Sequence, residues 1–484
     1  MEPEGNVQSQ TRNVSGRREF LKASVAGAVA AALGPGVPAS ASSQSASRPN
    51  ILYIHSHDTG RLTSPYGYAV PIPNLQRLAE EGILFRQAFN AAPTCSPSRA
   101  SLLTGECPHS NGMLGLVNRG FSMTPEGYQH HIVRTLRKEA NYYSALIGLQ
   151  HIARDPRTIG YDSVESPIPD PWNGVASVTP RAVRFLHSHP KEPFWLTVGF
   201  FETHRPYHPA APEDLQQFMQ PPEPVPDVVA SRGDMADFHE SVKTLDWGVG
   251  EVLAALEAAG LAENTLVIST TDHGIAWPMM KCNLYDGGMG VHLIMRGPGG
   301  FTGGKLCDAM ISHLDLYPTL CELLQIEPPA WLQGRSFLPV LRGDTQEINE
   351  AVFSEVNYHA SYEPMRAVRT KRWKYIRRYD GRTHPVLPNC DDGPTKKYWV
   401  DHGWAHQTIW SEALYDLLFD PNERNNLATA PDHAATLDAM KKRLDIWMRA
   451  TNDPLLRGAV PAPAGARLNS PNEISPSDPT FVVS

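Results

Sequence analysis

The chain has 484 residues, 41% of them hydrophobic and 19% charged, which exceeds the size at which one core stops growing, so a large domain and a smaller one are expected. A formal charge of −8, with Lys and Arg scattered, excludes the basic field of a nucleic-acid binder and leaves any anionic substrate dependent on a local basic pocket. Six cysteines, at 95, 107, 282, 307, 321 and 390, form no CxxC pair and no zinc-finger spacing, which argues against a disulfide framework and leaves one or two bridges open.

In chain order, Arg17-Arg18-Glu19-Phe20-Leu21-Lys22 precedes an Ala-rich apolar run over 23–33 and Ala39-Ser40-Ala41. Residues 1–41 therefore read as a twin-arginine signal peptide followed by a linker at 42–48. The run is too short and too rich in Ala and Gly to anchor stably in a bilayer. A twin-arginine signal implies partnership with that export machinery, export in a folded state and a periplasmic or secreted location, so a cysteine oxidised in the cytoplasm would already be modified on export.

The apolar run at 51–54 ends abruptly at His57-Asp58, and the runs at 143–147, 194–200 and 266–269 read as further buried strands, with a helix over 72–82 stopped by Gly82. Strands alternating with helices predict an α/β fold, a mostly parallel sheet with helices on both faces, occupying 49–345. Ligands gather beyond the carboxyl ends of such strands. Here three ends lead to His57-Asp58, Glu202-Thr203-His204 and Asp272-His273. Short strands near 351–354, 365–370 and 373–376 and an amphipathic helix over 432–450 predict a smaller C-terminal α+β region at 346–460 with an antiparallel sheet. The Pro-, Ser- and Asn-rich segment at 461–484 reads as a flexible tail.

The stretch Cys95-Ser96-Pro97-Ser98-Arg99-Ala100-Ser101-Leu102-Leu103-Thr104-Gly105 resembles the signature of the formylglycine-dependent sulfatases of alkaline-phosphatase-like fold. The likeness runs from Asn50 to about Gly458. Asn111-Gly112-Met113, Asn283-Leu284-Tyr285, Pro364-Met365-Arg366 and Leu414-Tyr415-Asp416 resemble the heparan N-sulfatase branch in particular. The resemblance implies a fold and an activity, hydrolysis of sulfate esters or sulfamates of sulfated carbohydrates. It also implies a formylglycine-generating enzyme as partner, which would oxidise Cys95. The hydrated aldehyde offers two oxygens, one to attack sulfur and one whose collapse expels sulfate, whereas a serine could perform only the first half. Arg99 would hold the diol at a helix N-terminus, where backbone dipoles also favour negative charge.

By the same resemblance one divalent cation is held by His57, Asp58, Asp272 and His273 together with the modified Cys95. Calcium is the first expectation, with manganese or another borderline metal raised by the two imidazoles, since many members carry Asp where His57 stands. His204 is assigned as the acid that protonates the leaving group and His151 as the base. Lys281 matches a sulfate-binding cation. Leu149 replaces a second one, with Arg61, Gln150 and Arg205 as substitutes the sequence does not choose between. Two rival readings share parts of this pattern. One is a phosphodiesterase or phosphonate monoester hydrolase, and the other a non-catalytic exported glycan-binding protein.

Overall fold

The computed structural model describes residues 48–166, 173–210 and 218–484. The signal peptide expected at 1–41, and the linker apart from Arg48, lie outside the described residues. Residues 47–484 form one compact unit, which contains both of the expected sheets.

The main sheet has eight described strands: β1 (Asn50–Ser56), β2 (Ile83–Phe85), β4 (Tyr143–Gly148), β5 (Ser163–Glu165), β6 (Phe194–Gly199), β7 (Thr265–Thr271), β8 (Leu293–Arg296) and β9 (Lys305–Cys307). A short parallel pair, β3 (Ala88–Phe89) and β10 (Ile311–Ser312), stands apart. The order in the main sheet is β5-β4-β6-β1-β7-β8-β2-β9. Central β1 runs parallel to β6 and β7, and only β8 is antiparallel to its neighbours. Every residue of β1 is buried, as a strand covered on both faces must be.

Alternation along β1 divides the core. Leu52 and Ile54 pack with helices Pro73–Glu81, Val175–His187 and Val229–Ala258, while Ile51 and Tyr53 pack with helices Cys95–Thr104, Ile132–Ala140 and Leu316–Leu323. Helices thus cover both faces of a mostly parallel sheet, as the strand and helix pattern predicts.

A separate antiparallel sheet of β11 (Val352–Tyr358), β12 (Tyr362–Arg369), β13 (Trp373–Arg378) and β14 (Glu412–Asp416) follows. Met365, Ala367 and Ile376 on one face meet Phe89, Leu284 and Met289 of the larger region. On the other face, Val368, Tyr375 and Leu414 are covered by Leu437, Met440, Leu444 and Met448 of helix Ala434–Ala450. The sheet is therefore clamped between its own helix and the larger region, which explains how its loops can reach the edge of the main sheet.

The segment from 461 departs from the expected flexible tail. Here β15 (Arg467–Asn469) pairs with β16 (Thr480–Val482), Ala466 and Leu468 join the core, and the Arg119 guanidinium donates to the Asn469 side chain at 2.9 Å and the Pro476 carbonyl at 3.1 Å. Composition missed this because ribbon hydrogen bonds and two apolar anchors suffice to dock a segment whose average hydrophobicity is low. Among the described residues no helix is long and apolar enough to cross a membrane, and all six cysteines are free and buried.

Arg366 on β12 is fully buried and makes a bidentate pair with Asp453, at 2.5 and 2.9 Å, just beyond helix Ala434–Ala450. Arg366→Ala leaves that carboxylate buried and uncompensated, so denaturant titration should find the protein less stable by about 3–5 kcal/mol.

Candidate active site

Four strands end at one edge of the main sheet and deliver polar side chains there. β1 leads into His57 and Asp58, β4 into His151, β6 into Thr203 and His204, and β7 into Asp272 and His273. Backbone crowding defines the edge. A Cβ on Gly148 would lie 2.2 Å from the Gly199 carbonyl oxygen, and one on Gly274 would lie 1.8 Å from that of Gly287, so only glycine lets these turns close. The Thr203 hydroxyl donates to the His57 carbonyl at 3.1 Å, and the Thr59 amide donates to the Thr271 hydroxyl at 3.1 Å. These bonds tie the loops after β1, β6 and β7 together.

Helix Cys95–Thr104 is buried along its whole length and stops at Gly105, whose φ is 73°. Its first residue is Cys95, and the motif that follows explains its placement. The Ser98 hydroxyl donates to the Asp272 carbonyl at 2.6 Å. Arg99 donates to the Asp272 carboxylate and to the Ser56 carbonyl, both at 2.9 Å, and also meets His55. These bonds give Arg99 a role the sequence did not assign: it orients Asp272 and binds β1 to the loop after β7. The result is that Cys95 Sγ sits 3.4 Å from His273 Nε2.

His57, Asp58, Cys95, Asp272 and His273 place one ligand atom each within 4.8 Å of one another, all buried. His57 Nδ1 is 2.6 Å from Asp58 Oδ1 and 3.2 Å from Asp272 Oδ2, while His273 Nε2 lies 3.4 and 3.6 Å from Asp58 and Asp272 oxygens. His273 Nδ1 donates to the Gly274 carbonyl at 2.9 Å, which points Nε2 into the cluster. Burial holds His57 well below the ordinary imidazole range and therefore neutral. Burial raises the Asp272 carboxyl, but Arg99, His273 and His57 outweigh it and hold the group well below the usual carboxylate range. For Asp58 burial is likewise outweighed, by Lys281, His204 and His273. Two ionised carboxylates and two imidazoles converging in a buried pocket are a donor set that fits a divalent cation.

Lys281 Nζ donates to Asp58 Oδ2 at 2.8 Å and to Asp391 Oδ2 at 2.6 Å, with His204 Nε2 at 3.4 Å. Burial lowers this lysine, but Asp391 and Asp58 more than offset it and keep it charged. An ammonium has three N–H groups, and these three contacts account for them, so a substrate oxygen would take the place of the long contact to His204. His204 Nδ1 donates to the Arg205 carbonyl at 2.6 Å, its ring lies 4.6 Å from that of His57, and its side chain is 26% exposed. The His151 ring lies 5.7 Å from His57. Each residue assigned to acid, base or anion binding thus reaches the same edge. Leu149 is buried and apolar there. The offered substitutes are engaged elsewhere: Gln150 holds the backbone of Ile152 and Ala153, Arg61 lies over Phe89 and donates to the Arg86 carbonyl, and Arg205 pairs with Asp234 at 2.6 Å.

Two site residues had no signal in the sequence. Asp391, from the loop after β13, grips Lys281. His359, just beyond β11, is held neutral first by burial and then by Lys281. Asp391-Asp392-Gly393-Pro394 reads as an ordinary acidic turn, and only folding brings it to Lys281.

Residues 49–326 match the family model described as Sulfatase, more than half of the chain. The chain belongs to the sulfatase family. Residues 276–397 of this sulfatase also match the model described as N-sulphoglucosamine sulphohydrolase, C-terminal. It is 30% identical to human N-sulphoglucosamine sulphohydrolase over 84% of this chain and 91% of that one. It is 28% identical to an ulvan-active sulfatase of Formosa agariphila, covering 87% and 84% of the two chains. Among solved structures a 2-O GAG sulfatase shares the fold with a TM-score of 0.66 at 23% identity, over 86% of this chain and 95% of that one.

Because Asp391 orients the lysine rather than touching the reacting atoms, Asp391→Ala should lower kcat/KM for 4-nitrophenyl sulfate about 10- to 100-fold. Asp391→Asn, which can still accept from Lys281, should restore part of the loss in the same assay.

Proposed function

We propose that this chain is an exported sulfatase that hydrolyses sulfate esters or sulfamates of sulfated glycans, with Cys95 oxidised to formylglycine and a divalent cation held by His57, Asp58, Asp272 and His273. The observation that carries this reading is the placement of Cys95. Burial pushes its thiol well above the usual cysteine range, with Lys281 opposing the shift and Asp58, Asp272 and Asp391 reinforcing it. An unmodified Cys95 is thus a protonated, poor nucleophile at neutral pH, fixed nonetheless at the focus of the site. Conversion to a hydrated aldehyde would supply the missing hydroxyl nucleophile.

The chain's own residues then divide the work. Lys281 holds a sulfate oxygen and Arg99 keeps Asp272 in place. On this reading His204, more exposed than His57, His151 and His273, gives a proton to the leaving oxygen or nitrogen. His151 is the base of this reading and accepts one from the diol. A bound cation would lower the pKa of the nucleophile and neutralise the sulfate charge. Calcium stays the first expectation, and the two imidazoles raise manganese or another borderline ion beside it. The relatives above act on sulfated sugars, which supports a glycan substrate. A formylglycine-generating enzyme and the twin-arginine machinery are the partners this route needs.

Peptide mass spectrometry across Cys95, on protein from its own host, should find a loss of about 18 Da, thiol to aldehyde; an intact thiol there overturns the proposal. Cys95→Ser should release at most one equivalent of 4-nitrophenol per site, without steady turnover. Prolonged chelation should abolish hydrolysis, and titrating calcium and manganese back should restore it, with metal analysis naming the ion. Faster turnover of bis(4-nitrophenyl) phosphate than of sulfate esters would move the assignment to phosphodiesters.

A further inference from the structure

A cavity of about 570 Å³ lies between the turn at 279–285, the second sheet and the segment at 394–410. None of the catalytic or metal-site residues lines it. Its volume falls within the range of small-ligand pockets. What distinguishes it is a concentration of flat aromatic surface. Trp399 and Trp404 meet at 81° with ring centroids 5.3 Å apart, Trp410 is 57% exposed beside them, and Tyr285 and Tyr415 form a second angled pair 5.9 Å apart. Three of the ten tryptophans thus fall within one short segment, more than packing that segment requires, since one stands largely in solvent.

The polar groups on the wall narrow the occupant. Arg378 donates to Glu363 at 2.6 Å, and the Asn389 amide donates to the other Glu363 oxygen at 2.9 Å. Those charges are spent on each other and offer a sulfate nothing unpaired. Glu423 is engaged by Lys374 at 2.8 Å. At the mouth stand Gln407 and Thr408, neutral and exposed. Arg424 meets no carboxylate, but it is exposed and its guanidinium donates to the Pro224 carbonyl at 3.4 Å. Angled aromatic faces, amide and hydroxyl groups at the rim and paired charges deeper in the wall suit a molecule with apolar C–H faces and a belt of hydroxyls. An alkyl chain would leave the rim groups unused.

From this combination we infer that the cavity is a second saccharide site, taking a neutral pyranose ring stacked in the corner made by Trp399 and Trp404 with Trp410 at its edge. The inference rests on the glycan reading above for the class of ligand, but not on the chemistry of Cys95. The site is back to back with the catalytic one. Asn389 and Cys390 line the cavity while Asp391 grips Lys281, and Met279 and Asn283 line it on either side of Lys281. An unsulfated ring of the same polymer, or of a neighbouring chain, would hold the enzyme on its substrate without competing for the sulfate pocket.

Calorimetry and tryptophan fluorescence on the full chain, with glucose, galactose, N-acetylglucosamine, cellobiose and lactose as probes, test this. At least one sugar should bind saturably with Kd of roughly 0.1–10 mM. Trp404→Ala and Trp410→Ala should each weaken it at least about tenfold while leaving 4-nitrophenyl sulfate turnover within about twofold, since both lie away from the chemistry. No binding up to about 100 mM, or binding unchanged in both variants, overturns the second site. So does saturable binding of the apolar dye N-phenyl-1-naphthylamine at the tryptophans with no sugar binding. Turnover without sugar binding sinks this site alone, whereas sugar binding without any sulfate-ester turnover sinks the catalytic reading alone.

Discussion

Two carboxylates, Asp58 and Asp272, lie fully buried at the end of a parallel sheet, and the rest of the site is arranged around keeping them ionised there. Taking such charges from water costs several kcal/mol each, so each must meet a cation or strong donors. Arg99 meets Asp272, and Lys281 meets Asp58. These partners come from different segments, the helix that begins with Cys95 and the loop after β7. Satisfying the carboxylates therefore also places Cys95 and Lys281.

This charge balance explains why the second sheet is part of the active site. Lys281 has two acidic partners, and the second, Asp391, arrives from beyond β13. The sheet can deliver it reliably because Met365, Ala367 and Ile376 pack against the catalytic region on one side while helix Ala434–Ala450 closes the other. The smaller region is thus a structural arm of the chemistry, and the angled tryptophans of 394–410 stand on the same arm.

Much of the site was legible because buried parallel strands are written as apolar runs that stop abruptly, so the residues after each run, His57-Asp58, His204 and Asp272-His273, stand out. Cys95 and Lys281 were legible through family resemblance, not through spacing. The role of Arg99 was not: a residue four positions after Cys95 could face the nucleophile, yet its guanidinium turns to Asp272 and Ser56. Nor could the substitutes for the lysine missing at Leu149 be judged, because whether Arg61, Gln150 or Arg205 is available depends on neighbours far away in sequence.

By itself the sequence determined the layered α/β architecture, the strand ends where polar side chains gather and the sulfatase family, because hydrophobic periodicity and short motifs are local. Tertiary structure alone decided which charges neutralise which. That Asp391 holds Lys281, that Arg99 serves Asp272, and that the segment after 461 docks through Leu468 rather than trailing in solvent all depend on pairings across long loops. The physical reason is that burial sets the strength of an ionic contact and burial is a property of the packed whole, so residues that read as ordinary loop polar groups became structural once water was removed around them.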